Sequence, residues 1–171
     1  MKLKIKYTML ADIAEPAIID KGDWIDLRSA ETVELHAPIV TRAKKNELRQ
    51  VLFDAQMVPL GIAMQLPKGF EAVVNPRSSI FIKYGCILAN SQGVIDNSYC
   101  GDNDEWKMNL IPLFPGIIKA GERIAQFRIQ PSQKATMWQK LRWLFSNGVE
   151  LVYVNELGNP DRGGHGTTGV K

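Results

Sequence analysis

Short extended segments separated by glycine and proline turns run through most of the chain. Gly85, Gly93 and Gly101 recur at intervals of eight residues between apolar stretches, and a Pro-Lys-Gly turn at residues 67–69 ends an earlier one. Many short strands with turns every eight to twelve residues are typical of an all-β sandwich or barrel. We therefore expect an all-β fold.

The N-terminal segment alternates lysine with Leu3, Ile5 and Tyr7. A period of two is expected where a strand buries one face and shows the other to water. We interpret this segment as an edge strand.

Two segments depart from the strand pattern, residues 41–55 and 132–148, because their apolar residues recur at helical spacing. In the second, Ser132 is a candidate N-cap and Gly148 follows the expected end, so we predict a helix there. The apolar positions are Leu48, Val51, Leu52 and Ala55 in the first segment and Met137, Leu141, Leu144 and Phe145 in the second. We expect both stripes to pack on the β core or on a neighbouring subunit; the alternative is a surface for a foreign protein partner.

Length and charge narrow the class of protein. With 171 residues the chain has the usual size of one domain. Its net charge is +3 and its basic residues are scattered along the sequence, which does not favour nucleic-acid binding.

The chain has no apolar run long enough to span a membrane and no apolar core of a signal peptide near its start, so we predict a cytoplasmic protein without membrane contact. Two cysteines and two histidines without C-x-x-C spacing favour free thiols over a zinc site.

The segment NPRSS, residues 75–79, follows an extended stretch and places an arginine beside two hydroxyls. Arginine makes charge-assisted, often bidentate hydrogen bonds, so Arg77 with Ser78 and Ser79 has the donors that a phosphate needs. An ordinary polar turn with an exposed arginine is the alternative that this segment alone leaves open.

The segment GVIDNSYCGD, residues 93–102, places Asp96 after an apolar pair and Tyr99 three residues later. Its glycines allow a tight backbone that can bring main-chain donors and acceptors against a planar base, while a carboxylate orients a water molecule. A hairpin turn in which Asp96 accepts backbone amides is the alternative.

Two further polar segments complete the candidates. GERIAQ, residues 121–126, places Arg123 and Gln126 three residues apart where a turn meets a strand. The C-terminal RGGHGTTGVK carries Arg162, Thr167 and Thr168 among four glycines, and such a sequence can wrap amides and hydroxyls around phosphates. It lacks the G-K-[ST] ending of the nucleotide P-loop, so a solvated terminus is its alternative.

The order of these segments is more specific than any of them alone. GDWIDLRSAE, NPRSS, GVIDNSYCGD, GERIAQ and RGGHGTTG, in this order, resemble the five motifs of the trimeric dUTP pyrophosphatases, or dUTPases. The resemblance spans residues 24–169, and GDWIDLRSAE, the GDND after Tyr99 and LGNPDRGGHGTTG are similar to dUTPases of Gram-positive bacteria and their phages. The first motif departs from the usual Ala-Gly-Tyr-Asp-Leu pattern before Asp26.

The resemblance implies a fold and an assembly. Residues 1–158 would form a jelly-roll-like β-barrel with one or two short helical insertions, and residues 159–171 would form a glycine-rich lid that the triphosphate orders. Three chains would form a homotrimer with its active sites between subunits. The first, second and fourth motifs would come from one subunit, the third from a second and the fifth from the third.

The resemblance also implies roles for single residues. Asp26 would orient waters of a Mg²⁺ ion, Arg77, Ser78 and Ser79 would hold phosphate oxygens, and Gln126 would bond the phosphate chain or the attacking water. Asp96 would activate that water and hold the 3′-hydroxyl, with Tyr99 beneath the deoxyribose. The hairpin groups that would read the uracil edge and exclude the thymine methyl are those of Asn90, Gly93, Val94 and Ile95.

The fifth motif would surround the phosphates with Arg162, Gly164, Gly166, Thr167 and Thr168. Its usual base-covering aromatic residue is replaced by His165, so Trp106 is a candidate substitute, with a core tryptophan as the alternative.

The implied reaction converts dUTP and water to dUMP and pyrophosphate by in-line attack on the α-phosphorus. Two alternatives stay open: a dCTP deaminase-like enzyme, and a phage-type dUTPase that also binds a regulatory protein through residues 37–55 or 132–148.

Overall fold

The computed structural model describes residues 1–19, 22–44 and 47–164. These residues contain fourteen strands and two short helices. The strands up to the first helix are β1 (Leu3–Met9), β2 (Ile25–Arg28), β3 (Val33–Leu35), β4 (Ile39–Val40), β5 (Val51–Leu52), β6 (Gln56–Pro59), β7 (Ile62–Gln65) and β8 (Phe70–Pro76). The remaining elements are α1 (Ile80–Tyr84), β9 (Cys86–Leu88), β10 (Gly93–Ile95), β11 (Lys107–Pro112), β12 (Gly116–Ile118), β13 (Arg123–Pro131), α2 (Met137–Leu144) and β14 (Val149–Tyr153). The prediction of an all-β fold is confirmed.

The strands form three larger sheets and two ribbons. Their orders are β14-β1-β7, β10-β8-β13-β2 and β6-β11-β9, with ribbons β12-β3 and β4-β5. One apolar core receives side chains from all three larger sheets. In the described residues, neither helix is long and apolar enough to cross a bilayer.

β1 lies in the middle of its sheet, so the expectation of an edge strand is wrong. It pairs in parallel with β14 on one side and antiparallel with β7 on the other. Leu3, Ile5 and Tyr7 are buried while the lysines between them are exposed. Alternation of apolar and charged residues indicates which face of a strand is exposed to solvent. An edge strand is defined by missing hydrogen-bond partners on one side, and the alternation carries no information about those partners.

Residues 41–55 do not pack on the core of their own chain, and the described residues there contain no helix; packing on a neighbouring subunit stays a prediction. β4 and β5 pair as a small antiparallel ribbon, and the Thr41 hydroxyl accepts a 3.1 Å hydrogen bond from the Gln50 amide. Leu48 is 92% exposed and Val51 is 49% exposed. The hydrogen bond from the Gln50 amide to the Thr41 hydroxyl takes a backbone donor that a helix would use. The helical spacing of the apolar residues did not reveal this alternative.

The second predicted helix exists but is shorter than expected. α2 begins after Thr136, whose hydroxyl accepts from the Gln139 amide while the Gln139 side chain accepts from the Thr136 amide. This reciprocal pair is a capping box, so Thr136 rather than Ser132 is the N-cap. Met137 and Phe145 are 70% and 74% exposed, so the apolar stripe does not pack on the core of its own chain.

Trp106 is a core residue, which corrects its candidacy as a cover for the base. Its side chain is fully buried, and its ring meets the Phe127 ring edge-on, with centroids 5.2 Å apart and planes at 81°. A side chain enclosed in the core cannot close over a ligand at the surface.

Glu122 joins α1 to the turn before β13. Its carboxylate accepts from Lys83 Nζ at 2.5 Å, from the Tyr84 hydroxyl at 2.6 Å and from the Lys119 amide at 2.9 Å. The hydrogen bond from Lys83, followed by those from Tyr84 and Lys119, lowers the pKa of Glu122 from 4.5 to about 2. The contact fixes the helix after NPRSS against the turn that carries GERIAQ.

Replacing Glu122 with glutamine tests this contact through its pH dependence. A carboxyl with a depressed folded-state pKa adds stability above its unfolded pKa and loses that contribution as the pH falls towards the folded value. We therefore expect wild type to unfold at higher denaturant concentration than Glu122→Gln near neutral pH, with the difference shrinking below pH 4.5, towards about 2. The control is Glu150→Gln, whose carboxylate lies 4.0 Å from Lys4, with both of these side chains largely exposed. A difference that stays constant with pH would contradict the account.

Replacing Trp106 with alanine distinguishes a core role from a lid role. Emptying a fully buried tryptophan site is expected to lower the free energy of unfolding by about 3–5 kcal/mol, measured by denaturant titration. Unchanged stability with weakened nucleotide affinity would restore the lid role.

Candidate active site

The first, second and fourth sequence segments meet on one sheet. In the antiparallel register, Gln126 on β13 lies opposite Asp26 on β2 and Asn75 on β8. Arg77 directly follows β8, and its amide donates to the Ile124 carbonyl at 3.0 Å. Strand pairing therefore brings together residues that lie about a hundred positions apart in the chain.

Asp26 is held between two arginines. Its Oδ2 accepts from Arg123 Nη1 at 3.0 Å and forms an ion pair with Arg77 Nη1, and its side chain is only 17% exposed. The β2–β13 register shifts between Arg123 and Ala125, and such a bulge re-aims the neighbouring side chain. Two guanidiniums around one carboxylate leave a net positive charge, which suits a polyanion. We call Asp26, Arg77 and Arg123 the phosphate cluster.

Ser78 and Ser79 stand beside the phosphate cluster at the start of α1, and both are exposed. Ser79 occupies the N-cap position without a side-chain capping bond, so its hydroxyl is not engaged at the helix terminus. The structure brings these hydroxyls and Arg77 to one corner, as phosphate binding requires, while their roles remain predictions.

A separate cavity of about 560 Å³ opens beside β10. This volume lies in the range of small-molecule sites. Its apolar part comes from Val74, Leu88 and Met108. The predicted residues that line it are Asn90, Gly93, Val94, Ile95, Asp96, Tyr99, Arg162 and Gly164. Trp106 does not line it.

Asp96 lies at this cavity with its side chain 48% exposed. It accepts from the Ser98 amide at 2.8 Å, from the Ser98 hydroxyl at 2.5 Å and from Arg162 Nη1 at 2.5 Å. Partial burial raises the pKa of Asp96, but the hydrogen bonds from Ser98 and the charge of Arg162 outweigh it and leave the pKa below its ordinary value. Asp96 is therefore a carboxylate at neutral pH.

Tyr99 forms part of the cavity wall and is fixed through its hydroxyl, which donates to the Glu105 carbonyl at 2.8 Å. Burial, with the charges of Asp104 and Glu105, raises the pKa of Tyr99. The ring is therefore a neutral, positioned surface.

Several lining residues escaped the sequence analysis, namely Asn103, Glu105, Lys107 and Asn109. Asn109 Oδ1 is buried and has no hydrogen-bond partner among the described residues. Alternation along β11 buries Met108 and Leu110 and turns Lys107 and Asn109 to the other face. This alternation, with a period of two, was the signal that could have identified Lys107 and Asn109.

The described part of the C-terminal segment lies on the third-motif loop of its own chain. Asp104 accepts from the amides of Arg162 and Gly163, and the Arg162 side chain reaches Asp96. The expectation that the fifth motif serves a site of other subunits concerns an assembly of chains and stays a prediction. His165, Gly166, Thr167 and Thr168 lie outside the described residues, so their predicted roles are not tested.

Within one chain, the phosphate cluster and the cavity residues Asp96 and Arg162 remain separate. Among residues 1–19, 22–44 and 47–164, no hydrogen bond or ion pair joins the phosphate cluster to Asp96 or to the Arg162 side chain. The same residues contain no group of three or more histidine, cysteine, aspartate or glutamate side chains that could hold a metal ion.

Comparisons with known proteins show what this chain is similar to. The dUTPase family model covers residues 42–142. The chain is 44% identical, over all of its length and all of the relative's, to the SPbeta prophage-derived deoxyuridine 5′-triphosphate nucleotidohydrolase YosS of Bacillus subtilis (strain 168).

Solved structures support the fold independently. The dUTPase from Streptococcus mutans has a TM-score of 0.59 at 22% identity, covering 77% of this chain and 98% of that one. A mutant dUTPase from phage phi11 of S. aureus, described with a structural Mg(II) ion, has a TM-score of 0.60 at 17% identity, covering 78% of this chain and 94% of that one. The expected jelly-roll-like dUTPase fold is thus confirmed. Because the family model spans more than half of the sequence and the prophage relative matches it from end to end, the chain belongs to the dUTPase family.

Proposed function

We propose that the protein hydrolyses dUTP to dUMP and pyrophosphate at a site shared between subunits of a homotrimer. The observation that carries the proposal is the full-length 44% identity to a deoxyuridine 5′-triphosphate nucleotidohydrolase. The two residue groups supply what such a substrate needs, a nucleoside-sized cavity and a cationic phosphate cluster. Family membership favours this reaction over dCTP deamination.

The cavity beside β10 would take the deoxyuridine. Gly93, Val94 and Ile95 line it, and their backbone groups would present a fixed donor and acceptor pattern to the uracil edge. Asn109 adds a buried amide oxygen that lacks a hydrogen-bond partner among the described residues, and an unpaired polar group of this kind favours a ligand that supplies a donor. With Trp106 enclosed in the core, His165 stays the predicted cover of the base.

The phosphate cluster would take the triphosphate. Arg77 and Arg123 supply charge, and Ser78 and Ser79 supply hydroxyl donors. Gln126 follows in the same register, where it would bond the phosphate chain or the attacking water. Four negative charges of the substrate near two guanidiniums favour binding strongly in a partly desolvated site.

The one carboxylate of the cluster, Asp26, is the residue that would hold a Mg²⁺ ion through water. A single carboxylate suits outer-sphere contact because Mg²⁺ keeps several waters and takes the rest of its ligands from phosphates. When bound, Mg²⁺ would neutralise charge on the triphosphate. Asp26 would position the ion's waters and keep Arg77 and Arg123 aimed at the same place.

Asp96 would position the nucleophilic water and accept its proton. Attack on the α-phosphorus forms the new phosphorus–oxygen bond while the bond to the oxygen that bridges to the β-phosphate breaks, so pyrophosphate leaves. Arg162 contacts Asp96 and lies next to the glycines that line the cavity, so it supports the ionised form of the carboxylate and adds charge near the phosphates. Positioning and charge stabilisation are the main contributions in phosphoryl transfer.

A homotrimer would cover apolar surface that a single chain leaves exposed. Ile82 on α1 is 87% exposed, and Trp138 on α2 and Leu48 beside β5 are 80% and 92% exposed. Exposed apolar groups of this extent favour subunit or partner contacts. A regulatory partner at residues 37–55 or 132–148 stays a prediction.

A nucleotide panel tests the function. With dUTP, dTTP, dCTP and UTP, each with and without Mg²⁺, we expect pyrophosphate release from dUTP and a marked loss of rate when Mg²⁺ is removed by chelation. Equal rates with dTTP, or ammonia release from dCTP, would contradict the proposal.

Replacing Asp96 with asparagine separates chemistry from binding. Losing a general base is expected to lower kcat by about 10²–10⁴-fold, while affinity for a non-hydrolysable dUTP analogue stays within about tenfold of wild type. Isothermal titration measures the affinity and a pyrophosphate assay measures kcat. Normal turnover in this variant would remove Asp96 from the role.

A further inference from the structure

Ser98 holds the carboxylate of Asp96 with both its backbone and its side chain. The Ser98 amide donates to Asp96 Oδ1 at 2.8 Å, and the Ser98 hydroxyl donates to the same oxygen at 2.5 Å. A carboxylate that rotated away from this position would lose both hydrogen bonds together. The orientation of Asp96 is therefore set by a residue two positions further along its own loop.

The turn that carries this contact is itself fixed to the body of the chain. The Tyr99 amide donates to the Asp96 carbonyl at 3.1 Å and closes the turn. Between these two residues, the Asn97 side chain donates to the carbonyls of Leu66 at 2.8 Å and Pro67 at 3.1 Å. The hydrogen bonds of the turn thus connect the carboxylate to the end of the neighbouring strand segment.

The two oxygens of Asp96 are in different surroundings. Oδ1 accepts both donors of Ser98, whereas no donor from residues 93–102 of the described chain reaches Oδ2, which meets Arg162 Nη1 at 2.5 Å. Hydrogen bonds to a carboxylate oxygen stabilise its negative charge and reduce its tendency to take up a proton. Oδ2 is therefore the oxygen that the loop leaves for a water molecule.

The same two hydrogen bonds affect the ionisation of Asp96. Partial burial raises the pKa of Asp96, and the bonds from Ser98 are the largest of the effects that lower it, ahead of the charge of Arg162. Ser98 therefore contributes to both the direction and the charge of the carboxylate.

The other titratable groups around the carboxylate are few in the part of the chain that the structure describes. Glu105 and Lys107, which line the same cavity, form an ion pair with each other at 3.7 Å. Burial, followed by the charges of Asp104 and Asp96, raises the pKa of the Cys100 thiol, so this thiol is neutral at neutral pH. A change in the titration of Asp96 on loss of the Ser98 hydroxyl is thus attributable to the lost hydrogen bond.

We propose that Ser98 is a positioning residue of the hydrolytic reaction, which commits Oδ1 of Asp96 to the loop and leaves Oδ2 to orient the attacking water. The water oxygen bonds to the α-phosphorus, its proton passes to Oδ2, and pyrophosphate leaves with the electrons of the broken bond. The proposal rests on the proposed function, dUTP hydrolysis. Because both residues lie in one turn, it holds whichever chain supplies the fifth motif.

Replacing Ser98 with alanine removes the hydroxyl and keeps the amide. We expect kcat for dUTP to fall about tenfold because the carboxylate is less well oriented, while KM and affinity for a non-hydrolysable analogue stay within about twofold. The acid limb of the pH profile of kcat should move to higher pH, since a carboxylate that has lost a donor holds its proton more tightly. An unchanged kcat and pH profile, or a change in KM alone, would overturn the proposal.

A threonine at the same position tests the hydroxyl itself. Ser98 is exposed, so the added methyl group meets no core packing, and Ser98→Thr is expected to recover most of kcat and the wild-type acid limb. Ser146→Ala is the matched control, because it removes an exposed hydroxyl that donates at 2.8 Å to the Trp143 carbonyl at the end of α2. A threonine variant no faster than the alanine variant would count against the role of the hydroxyl.

A double variant tests whether Ser98 acts through Asp96. Asp96→Asn combined with Ser98→Ala should be little slower than Asp96→Asn alone, because the carboxylate that Ser98 positions is already absent. A further loss of about tenfold, the full effect of the single variant, would show an independent role for Ser98 and overturn the proposal.

An NMR titration separates this proposal from the proposed function. The carboxyl carbon of Asp96, followed in the nucleotide-free protein, should titrate at higher pH in Ser98→Ala than in wild type, and this readout needs no turnover. A wild-type protein that does not hydrolyse dUTP would contradict the proposed function. An Asp96 titration that is the same in both proteins would overturn the role of Ser98.

Discussion

The antiparallel pairing of β13 with β8 and β2 is the constraint on which both halves of the site depend. This register sets Gln126 opposite Asp26 and Asn75, and through β8 it also sets Val74 opposite Gly93 at the cavity. A slip of one residue would turn Asp26 to the opposite face of the sheet, away from Arg77. The buried side chains of β13, Phe127 among them, make such a slip costly because they would leave the core.

The phosphate cluster and the cavity beside β10 differ in their balance of charged side chains. In the phosphate cluster, guanidiniums outnumber carboxylates, so the cluster favours a polyanion. Beside the cavity, carboxylates outnumber cations, and backbone amides satisfy them: Asp96 accepts from Ser98, and Asp104 from Gly101, Arg162 and Gly163. The first arrangement favours an anionic ligand, whereas the second orders the described part of the C-terminal segment around the carboxylate proposed to act on water.

The sequence predicted what depends on local pattern and on the order of motifs. Turn spacing indicated the all-β fold, and apolar spacing indicated α2. The resemblance, not the spacing of residues, grouped Asp26 with Arg77 and Gln126. The sequence left open whether Trp106 covers the base or lies in the core, because enclosure by Phe127 depends on tertiary packing. The β4–β5 ribbon was not predicted, because short apolar runs fit both periods. The acceptor role of Asp104 depends on tertiary structure, because its donors Arg162 and Gly163 lie in a distant segment of the chain.

The most direct measurement of the central claim is a crystal structure of the trimer with Mg²⁺ and a non-hydrolysable dUTP analogue. The account predicts that the uracil and deoxyribose occupy the cavity of one chain while the triphosphate contacts Arg77 of a neighbour. The α-phosphorus should lie next to a water held by Asp96. A nucleotide bound entirely by one chain would contradict it.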